Sequence, residues 1–424
     1  MLARAYLLPL APLFLGLAPA ATAQDDIRPI YLRFGNHRTI HRDPIPGQTQ
    51  GPYTQDHWKD NTVPCDGDAT DPANPTNPNN PGDNHFPVAY YPQDLMKVER
   101  VEFCNAVPDP DIWDINQSQV NGVGSDGSIF WGQAQQEGDI VFAENIFAIG
   151  FLADKARFFD EYEITWEIRY YNLLLGGFTT DPAGTTSNRI YVSYDDVTPL
   201  FESLIHTSCS AVDGAQIASP GQETSAFQQI WQEKFVPLSL NRKPIDGDNK
   251  PDGETLVYWG PDATSAPVGF SVAELLGNGW GKCGAWGGML YYACLLQGIE
   301  VQVGAVVPQL GDTVLLVQNA TSTLVCRGMS HPIPTTSIGN QAGLPAQGNP
   351  NPTLEHKTFL NHCVCRFEGV LYDPSYGFQT PSALTYEAAN LWGVGRALSG
   401  CVGQGVYYRR DVPGVLDLGW PAGW

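Results

Sequence analysis

The stretch GNGWGKCGAWGGMLYYACLLQGIEV, residues 277–301, decides the fold of the second half of this chain. From Cys283 to Gln297 it is apolar nearly all round, which predicts a buried helix. Gly298 is the expected C-terminal stop, and the segment IEVQVGAVV, residues 299–307, then alternates as a strand. Cys283 therefore opens a buried helix directly after a run of glycines.

The start of a helix suits a cysteine nucleophile. Unpaired N–H groups and the helix dipole favour a thiolate there, and the same N–H groups could hold an oxyanion. The alternative for Cys283 is a buried structural cysteine. Cys294 lies on nearly the same stripe of the helix but deeper, so we expect a core or disulfide cysteine there.

A base and an orienting carboxylate are found in FLNHCVCRFEGVLYDPSYG, residues 359–377. HCVCRF and VLYDP predict two short strands joined by a two-residue turn at Glu368 and Gly369. That register places Val364 opposite Asp373, with His362 on the same face and diagonal to the carboxylate, within side-chain reach. A one-residue slip would move Asp373 to the other face.

These two motifs resemble the transglutaminase-like family, which shares the papain-type arrangement of a nucleophile at a helix start followed by histidine and aspartate on neighbouring strands. The resemblance covers roughly residues 198–380. It implies that Cys283 is the nucleophile, that His362 is the base and later the acid, and that Asp373 orients the imidazole. Gly284, Trp286, Leu290 and the QGI at 297–299 also match the family's helix pattern.

Three features depart from the family pattern. Cys363 stands where the family commonly has alanine, and Lys282 stands where related proteins often carry glutamine, a side-chain oxyanion donor. Residues 312–355 form a long insertion before the histidine strand, which we expect to cover the cleft and influence substrate choice.

Composition and charge restrict the class of protein. Residues 1–23 predict a secretory signal peptide with a short apolar core, and hence a secreted or periplasmic protein. The formal net charge of −22 argues against nucleic acid and anionic membranes as partners. Nine cysteines in an exported chain predict disulfides, with Cys65 paired to Cys104. Because nine is odd, Cys283 is a reasonable unpaired thiol.

The chain divides into two halves of different pattern. Residues 24–197 predict an all-β, sandwich-like domain, in which YEITWEIRY (162–170) alternates cleanly and residues 65–84 form a polar, disordered-type loop. Residues 198–424 mix helices with strands, so the fold class is α+β. PLFESLIHTSC (199–209) and AFQQIWQEKF (226–235) predict the first two helices of this second domain.

Two metal-site patterns rank below simpler interpretations. Asp246, Asp248 and Asp252 are spaced as in a small calcium loop, but an acidic surface turn is favoured. Cys363 and Cys365 share a strand face opposite His362, and disulfides or buried thiols are favoured over zinc. No cofactor or metal is predicted.

The sequence therefore predicts an exported cysteine enzyme that transfers the acyl group of a peptide or glutamine-type amide through a thioester on Cys283. Hydrolysis is slightly favoured over cross-linking, and the expected partner is a protein or peptide substrate. The alternative is a non-catalytic secreted surface or assembly protein that keeps the fold for binding. The substrate, the oligomeric state and the ligand of the β-domain stay open.

Overall fold

The computed structural model describes residues 27–45, 51–53, 58–59, 84–104, 106, 109–242, 254–258, 271–308, 314–315, 329–332, 356–359, 362–382, 393–397, 406–408 and 416–419. The predicted leader, nearly all of the 65–84 loop, the acidic turn at 246–252 and most of the 312–355 insertion lie outside these residues. Within the described part of the chain, no helix is long and apolar enough to cross a membrane.

Eleven strands of the first half belong to one sheet. They are β1 Arg28–Gly35, β2 Trp58–Lys59, β3 Asn84–His85, β4 Val88–Tyr90, β5 Lys97–Cys104, β6 Trp113–Gly124, β7 Ile129–Gln133, β8 Gln135–Glu137, β9 Ile140–Ile149, β10 Arg157–Asn172 and β11 Gly177–Val192.

This sheet differs from the predicted sandwich of two separate sheets. Its strand order is β3-β2-β1-β5-β9-β7-β6-β10-β11-β4, with β8 beside β9, and an isolated bridge between Arg38 and Ala89 links the end of β1 to β4, so the sheet is nearly closed. The strands β10 and β11 are 16 residues long, and their pairing is interrupted by register shifts at Phe159/Tyr162 and Thr165/Glu167. Such bulges bend a sheet enough to wrap it around one core.

The alternation of YEITWEIRY is confirmed. Its five apolar side chains at 162, 164, 166, 168 and 170 are all buried in a core that the sheet encloses. The indole N–H of Trp166 donates to Thr186 Oγ1 at 3.0 Å, so the one polar atom of this large side chain is satisfied inside the core.

The second half contains the predicted mixture of helices and strands. The helices are α1 Glu202–Ala211, α2 Pro220–Ile230, α3 Val272–Asn278 and α4 Cys283–Leu295, with a π-helical turn Trp231–Phe235 after α2. The strands are β12 Asn241–Arg242, β13 Glu254–Thr255, β14 Val257–Tyr258, β15 Trp280–Gly281, β16 Gln302–Pro308, β17 Val314–Leu315, β18 Met329–Pro332, β19 His356–Phe359, β20 His362–Phe367, β21 Val370–Asp373, β22 Phe378–Thr380, β23 Gly393–Ala397, β24 Val406–Tyr408 and β25 Leu416–Gly419.

The sheet β22-β21-β20-β16-β25 carries α4 on one side. The predicted buried helix is confirmed at α4, and Gly298 follows it with a positive φ of 71°. On its other side α4 packs against α1, where Ser208 Oγ donates to the carbonyl oxygen of Ala293 at 2.6 Å and receives a hydrogen bond from Gln297 Nε2 at 2.9 Å.

A buried ion cluster ties the two halves together. Glu202, the first residue of α1, is fully buried and accepts from Arg189 Nη1 of β11 at 3.4 Å and from the Tyr53 hydroxyl. The other terminal nitrogen of Arg189 contacts Asp160 at 2.7 Å. A second buried carboxylate, Asp43, accepts from the backbone N–H and the hydroxyl of Ser203. Helix α1 is thus held to the first sheet by charged groups as well as by apolar packing.

We expect Arg189→Met to lower the free energy of unfolding by about 3–5 kcal/mol, because it leaves the buried Glu202 carboxylate without its cation. Adding Glu202→Gln should recover part of this loss, since the two side chains are coupled. Arg157→Met is the control, because its pair with Asp213 is partly exposed and should contribute at most about 1 kcal/mol. Urea unfolding measures all four proteins, and equal losses for the two arginine variants would contradict the account.

His206 on α1 predicts a pH dependence of stability. Burial lowers the pKa of His206 from 6.5 to about 3, and its Nδ1 lies 3.2 Å from the Tyr191 hydroxyl. Between those pH values the unfolded chain binds a proton that the folded chain does not, so stability falls as the pH drops below 6.5. We expect this one group to remove about 2 kcal/mol between about pH 7.5 and pH 5. Urea unfolding of His206→Gln should show a pH loss smaller by that amount, and an unchanged loss would contradict the assignment.

Candidate functional site

Cys283 is the first residue of α4, as the sequence predicts, and only 3% of its surface is exposed. The preceding residue, Lys282, has extended backbone angles (φ −85°, ψ 173°), and its side chain caps no N–H group of the helix. The Lys282 carbonyl accepts the N–H groups of Ala285 and Trp286 at 3.0 and 3.2 Å. The first N–H groups of a helix have no acceptor within it, so this end of α4 presents donors beside the thiol.

The glycine run positions the thiol. Helix α3 begins with a capping box between Ser271 and Glu274 and ends at Gly279, whose φ is 75°. The Gly279 carbonyl accepts the N–H of Val257 at 2.9 Å, and β15 then pairs in parallel with β14. A Cβ atom at Gly281 would lie 3.0 Å from both Ala285 Cβ of α4 and Leu275 Cδ1 of α3, so a larger residue here would crowd the start of α4 against α3.

Asp373 ends β21, and its side chain is buried. Its Oδ1 accepts the backbone N–H of Ser375 at 3.1 Å, and its carbonyl oxygen accepts the N–H of Tyr376 at 3.3 Å. These bonds within the turn after the strand fix the orientation of the carboxylate.

Two buried tyrosines, Tyr258 of β14 and Tyr376 after β21, lie beside both Cys283 and Asp373. Their ring centroids are 5.0 Å apart at an interplanar angle of 66°. Burial raises the pKa of both phenols, and both rings lie close enough to Cys283 and Asp373 for negative charge on either residue to raise it further. Cys283 and Asp373, about 90 residues apart in the chain, therefore act on the same pair of rings. Neither tyrosine was predicted to belong to the site. Tyr376 follows Asp373 in DPSYG, whereas nothing in the sequence near Tyr258 links it to Cys283.

The predicted hairpin is confirmed. Glu368 and Gly369 both have positive φ values, 48° and 81°, as a two-residue turn of this kind requires. Cys365 pairs with Tyr372, so the same register places Val364 opposite Asp373. His362 is the first residue of β20 and pairs with Val306 of β16; its side chain lies outside what the structure describes. The backbone thus places position 362 diagonal to Asp373, as expected.

Cys363 and Cys365 face α4. The Cys365 thiol lies 3.5 Å from the carbonyl oxygen of Gly287, one turn after Cys283. Burial raises the pKa of both thiols, and the charge of Cys283 acts on Cys363. Cys363 and Asp373 thus both lie near Cys283, although strict alternation puts them on different faces. The same alternation puts position 362 on the face of β20 opposite Cys363 and Cys365, away from α4. Asp373 is the last residue of its strand, where the regular alternation ends.

The described cysteines of the second half are thiols, including Cys209, Cys294, Cys363 and Cys365. Burial raises the pKa of Cys209 to about 12 and that of Cys294 higher still, as expected for core residues.

Among the described residues there is no cluster of histidine, cysteine and acidic side chains that could hold a metal ion. In the first half Cys104 is disulfide-bonded. The predicted partner Cys65 lies outside the described residues, so that pairing stays a prediction.

Lys282 gives the candidate site a cationic neighbour. Its side chain is buried in all but a small part. Desolvation lowers its pKa, while the charges of Cys283 and Glu274 oppose that shift.

No protein-family model matches this chain, and no curated protein matches it. The resemblance to the transglutaminase-like family therefore stays a prediction from the two sequence motifs.

The contact between α4 and β20 predicts that the effect of Gly287→Ala on stability changes sign when Cys363 is replaced by alanine. A methyl group at Gly287 would lie 2.6 Å from Cys363 Sγ, so we expect Gly287→Ala to cost about 1–3 kcal/mol of stability. In a Cys363→Ala background the clash is removed, and the same substitution should gain up to about 1 kcal/mol from helix propensity. Chemical unfolding of the four proteins measures the cycle. An equal cost of Gly287→Ala in both backgrounds would mean that the helix does not approach the strand at this point.

Proposed function

We propose that this protein is an exported, transglutaminase-like cysteine enzyme that cleaves or transfers peptide or glutamine-type amide bonds through a thioester on Cys283. The observation that carries the proposal is the placement of Cys283 at the start of a buried helix that packs on the β20–β21 hairpin. The register of that hairpin puts position 362 diagonal to Asp373, but Cys363 and Cys365 are the β20 residues that contact α4. The proposal therefore requires the His362 imidazole to reach Cys283 around the start of β20. The chemistry requires no cofactor or metal.

Each residue has a distinct role in the proposed reaction. His362 takes the proton of the Cys283 thiol, and the thiolate attacks the amide carbonyl carbon. N–H groups at the start of α4 stabilise the resulting oxyanion. The imidazolium then protonates the leaving amine as the C–N bond breaks, which leaves a thioester. Asp373 orients the imidazole and stabilises its charged form.

The second half of the reaction depends on the acceptor. Water, deprotonated by His362, gives a carboxylic acid and regenerates the thiol, whereas a primary amine gives a cross-link by the same steps. We favour hydrolysis slightly, because no amine-binding site is evident in the sequence. The proposed location is outside the cytoplasm, consistent with the predicted leader, and the proposed partner is a protein or peptide substrate.

The second candidate function is a non-catalytic surface or assembly role. The observation that favours it is the burial of Cys283 and Lys282, with 3% and 7% of their surfaces exposed. In that case Cys283 is a packing residue, and the first sheet carries the activity of the protein. The two candidates differ in whether a small electrophile reaches Cys283 and whether His362 controls its reactivity.

The test is the pH dependence of Cys283 alkylation by iodoacetamide, followed by mass spectrometry of the modified peptides. We expect labelling well below the ordinary thiol pKa of about 8.5. In His362→Ala the labelling near about pH 6 should fall by at least tenfold, because the neutral thiol is a weak nucleophile. Asp373→Asn should give a smaller loss, since it leaves the imidazole in place.

The chain supplies its own controls. Burial raises the pKa of Cys209, Cys294 and Cys365, so these thiols should stay unlabelled in the same folded sample. Labelling of Cys283 that is slow in the wild type, or indifferent to His362→Ala, would refute the catalytic proposal and support the second candidate.

A further inference from the structure

The outer surface of the first sheet carries a group of exposed apolar side chains that take no part in the enclosed core. It consists of Val123, Ile129, Trp131, Phe147, Ile149 and Phe151, which are between 43% and 73% exposed. The residues that alternate with them, such as Phe130 and Ile146, are fully buried in the enclosed core. Residues 129–131 of β7 and 146–149 of β9 are therefore apolar on both faces, whereas a sheet with one face in water normally has polar residues there. We call these six residues the outer apolar face.

The strand register makes this face continuous. Ile129 lies directly opposite Ile149 on one side and Val123 on the other. In the next row Trp131 lies between Phe147 and Asn121. Side chains directly opposite on neighbouring strands touch, so five of the six residues form two adjoining rows across β9, β7 and β6, and Phe151 follows β9.

The area suits an interface between protein chains. A full aromatic side chain covers about 150–250 Å², and at the observed exposures the six residues offer roughly 600 Å². That is the upper end for the largest apolar patch on an ordinary monomer, at roughly 300–600 Å². Two such faces together bury roughly 1,200 Å², which reaches the range of stable interfaces.

The charged residues at the two borders of the outer apolar face indicate that a second copy of this chain covers it. The Trp131 row continues to Lys97 on β5 at one end and, through Asn121, to Glu167 on β10 at the other. Consider a two-fold axis that runs parallel to β7 and passes over Trp131. Rotation about it would bring the Trp131 side chains of the two copies together. The same rotation would bring Lys97 over Glu167 of the second copy, and Glu167 over Lys97. One face thus matches itself in both apolar pattern and charge.

We propose that the outer apolar face is a homodimer interface, in which the sheets of two copies pack face to face about this two-fold axis. Face-to-face packing of sheets is a common way to bury such surfaces, and two-fold dimers are the commonest closed assemblies. A carbohydrate fits less well, because half of the face is aliphatic and offers no donors or acceptors. The proposal concerns the first half of the chain and does not depend on the chemistry at Cys283.

The test is sedimentation velocity of the full chain between about 1 and 100 µM. We expect a concentration-dependent dimer that Trp131→Glu converts to monomer, because it buries two like charges at the axis. Leu174→Glu is the matched control: this leucine is also strongly exposed, but it lies in the turn between β10 and β11, away from the face. The control should sediment as wild type.

A charge exchange tests the axis itself. Lys97→Glu and Glu167→Lys should each weaken the dimer, and the double variant should restore it, because the opposite charges then meet again. Ile129→Thr gives a second probe of the face if Trp131→Glu does not fold, as judged by circular dichroism. A wild type that stays monomeric at the highest concentration, or a dimer lost in Leu174→Glu but kept in Trp131→Glu, would overturn the proposal.

Discussion

The close contact between α4 and β20 is the constraint on which the site depends. Gly287 brings the helix against Cys363 and Cys365, so the first residue of the helix is held at a fixed distance from the hairpin that ends in Asp373. Ser208 and Gln297 hold the opposite side of α4 to α1 with hydrogen bonds buried in the core. A nucleophile needs this kind of support, because reactive groups must be held within a fraction of an ångström of a productive geometry.

The anchoring extends into the first half of the chain. Helix α1, which supports α4, is itself tied to the first sheet through Glu202, Arg189 and Asp43. The buried carboxylates are expensive to desolvate and are tolerated because each has partners. The β-domain is therefore part of the support of the site, and its outward apolar face lies on the part of that sheet formed by β6, β7 and β9.

Much of this arrangement could be predicted from the sequence because the signals were local. The apolar run after Cys283 predicted α4, the pair Glu368–Gly369 predicted the turn and register of the hairpin, and strict alternation predicted β10. The nearly closed sheet could not be predicted, since it depends on register shifts in β10 and β11 that leave no residue signature. Tyr258 was missed for a similar reason: a two-residue strand brings it beside Cys283, and only tertiary pairing creates that proximity.

The central claim is that Cys283, His362 and Asp373 form one site. The most direct measurement is the distance between Cys283 Sγ and the nearest imidazole nitrogen of His362 in a crystal structure at neutral pH. The account predicts a separation of about 3–4 Å, with the other ring nitrogen directed at the Asp373 carboxylate. An imidazole on the face of β20 away from α4, with the sheet between it and the sulfur, would contradict it.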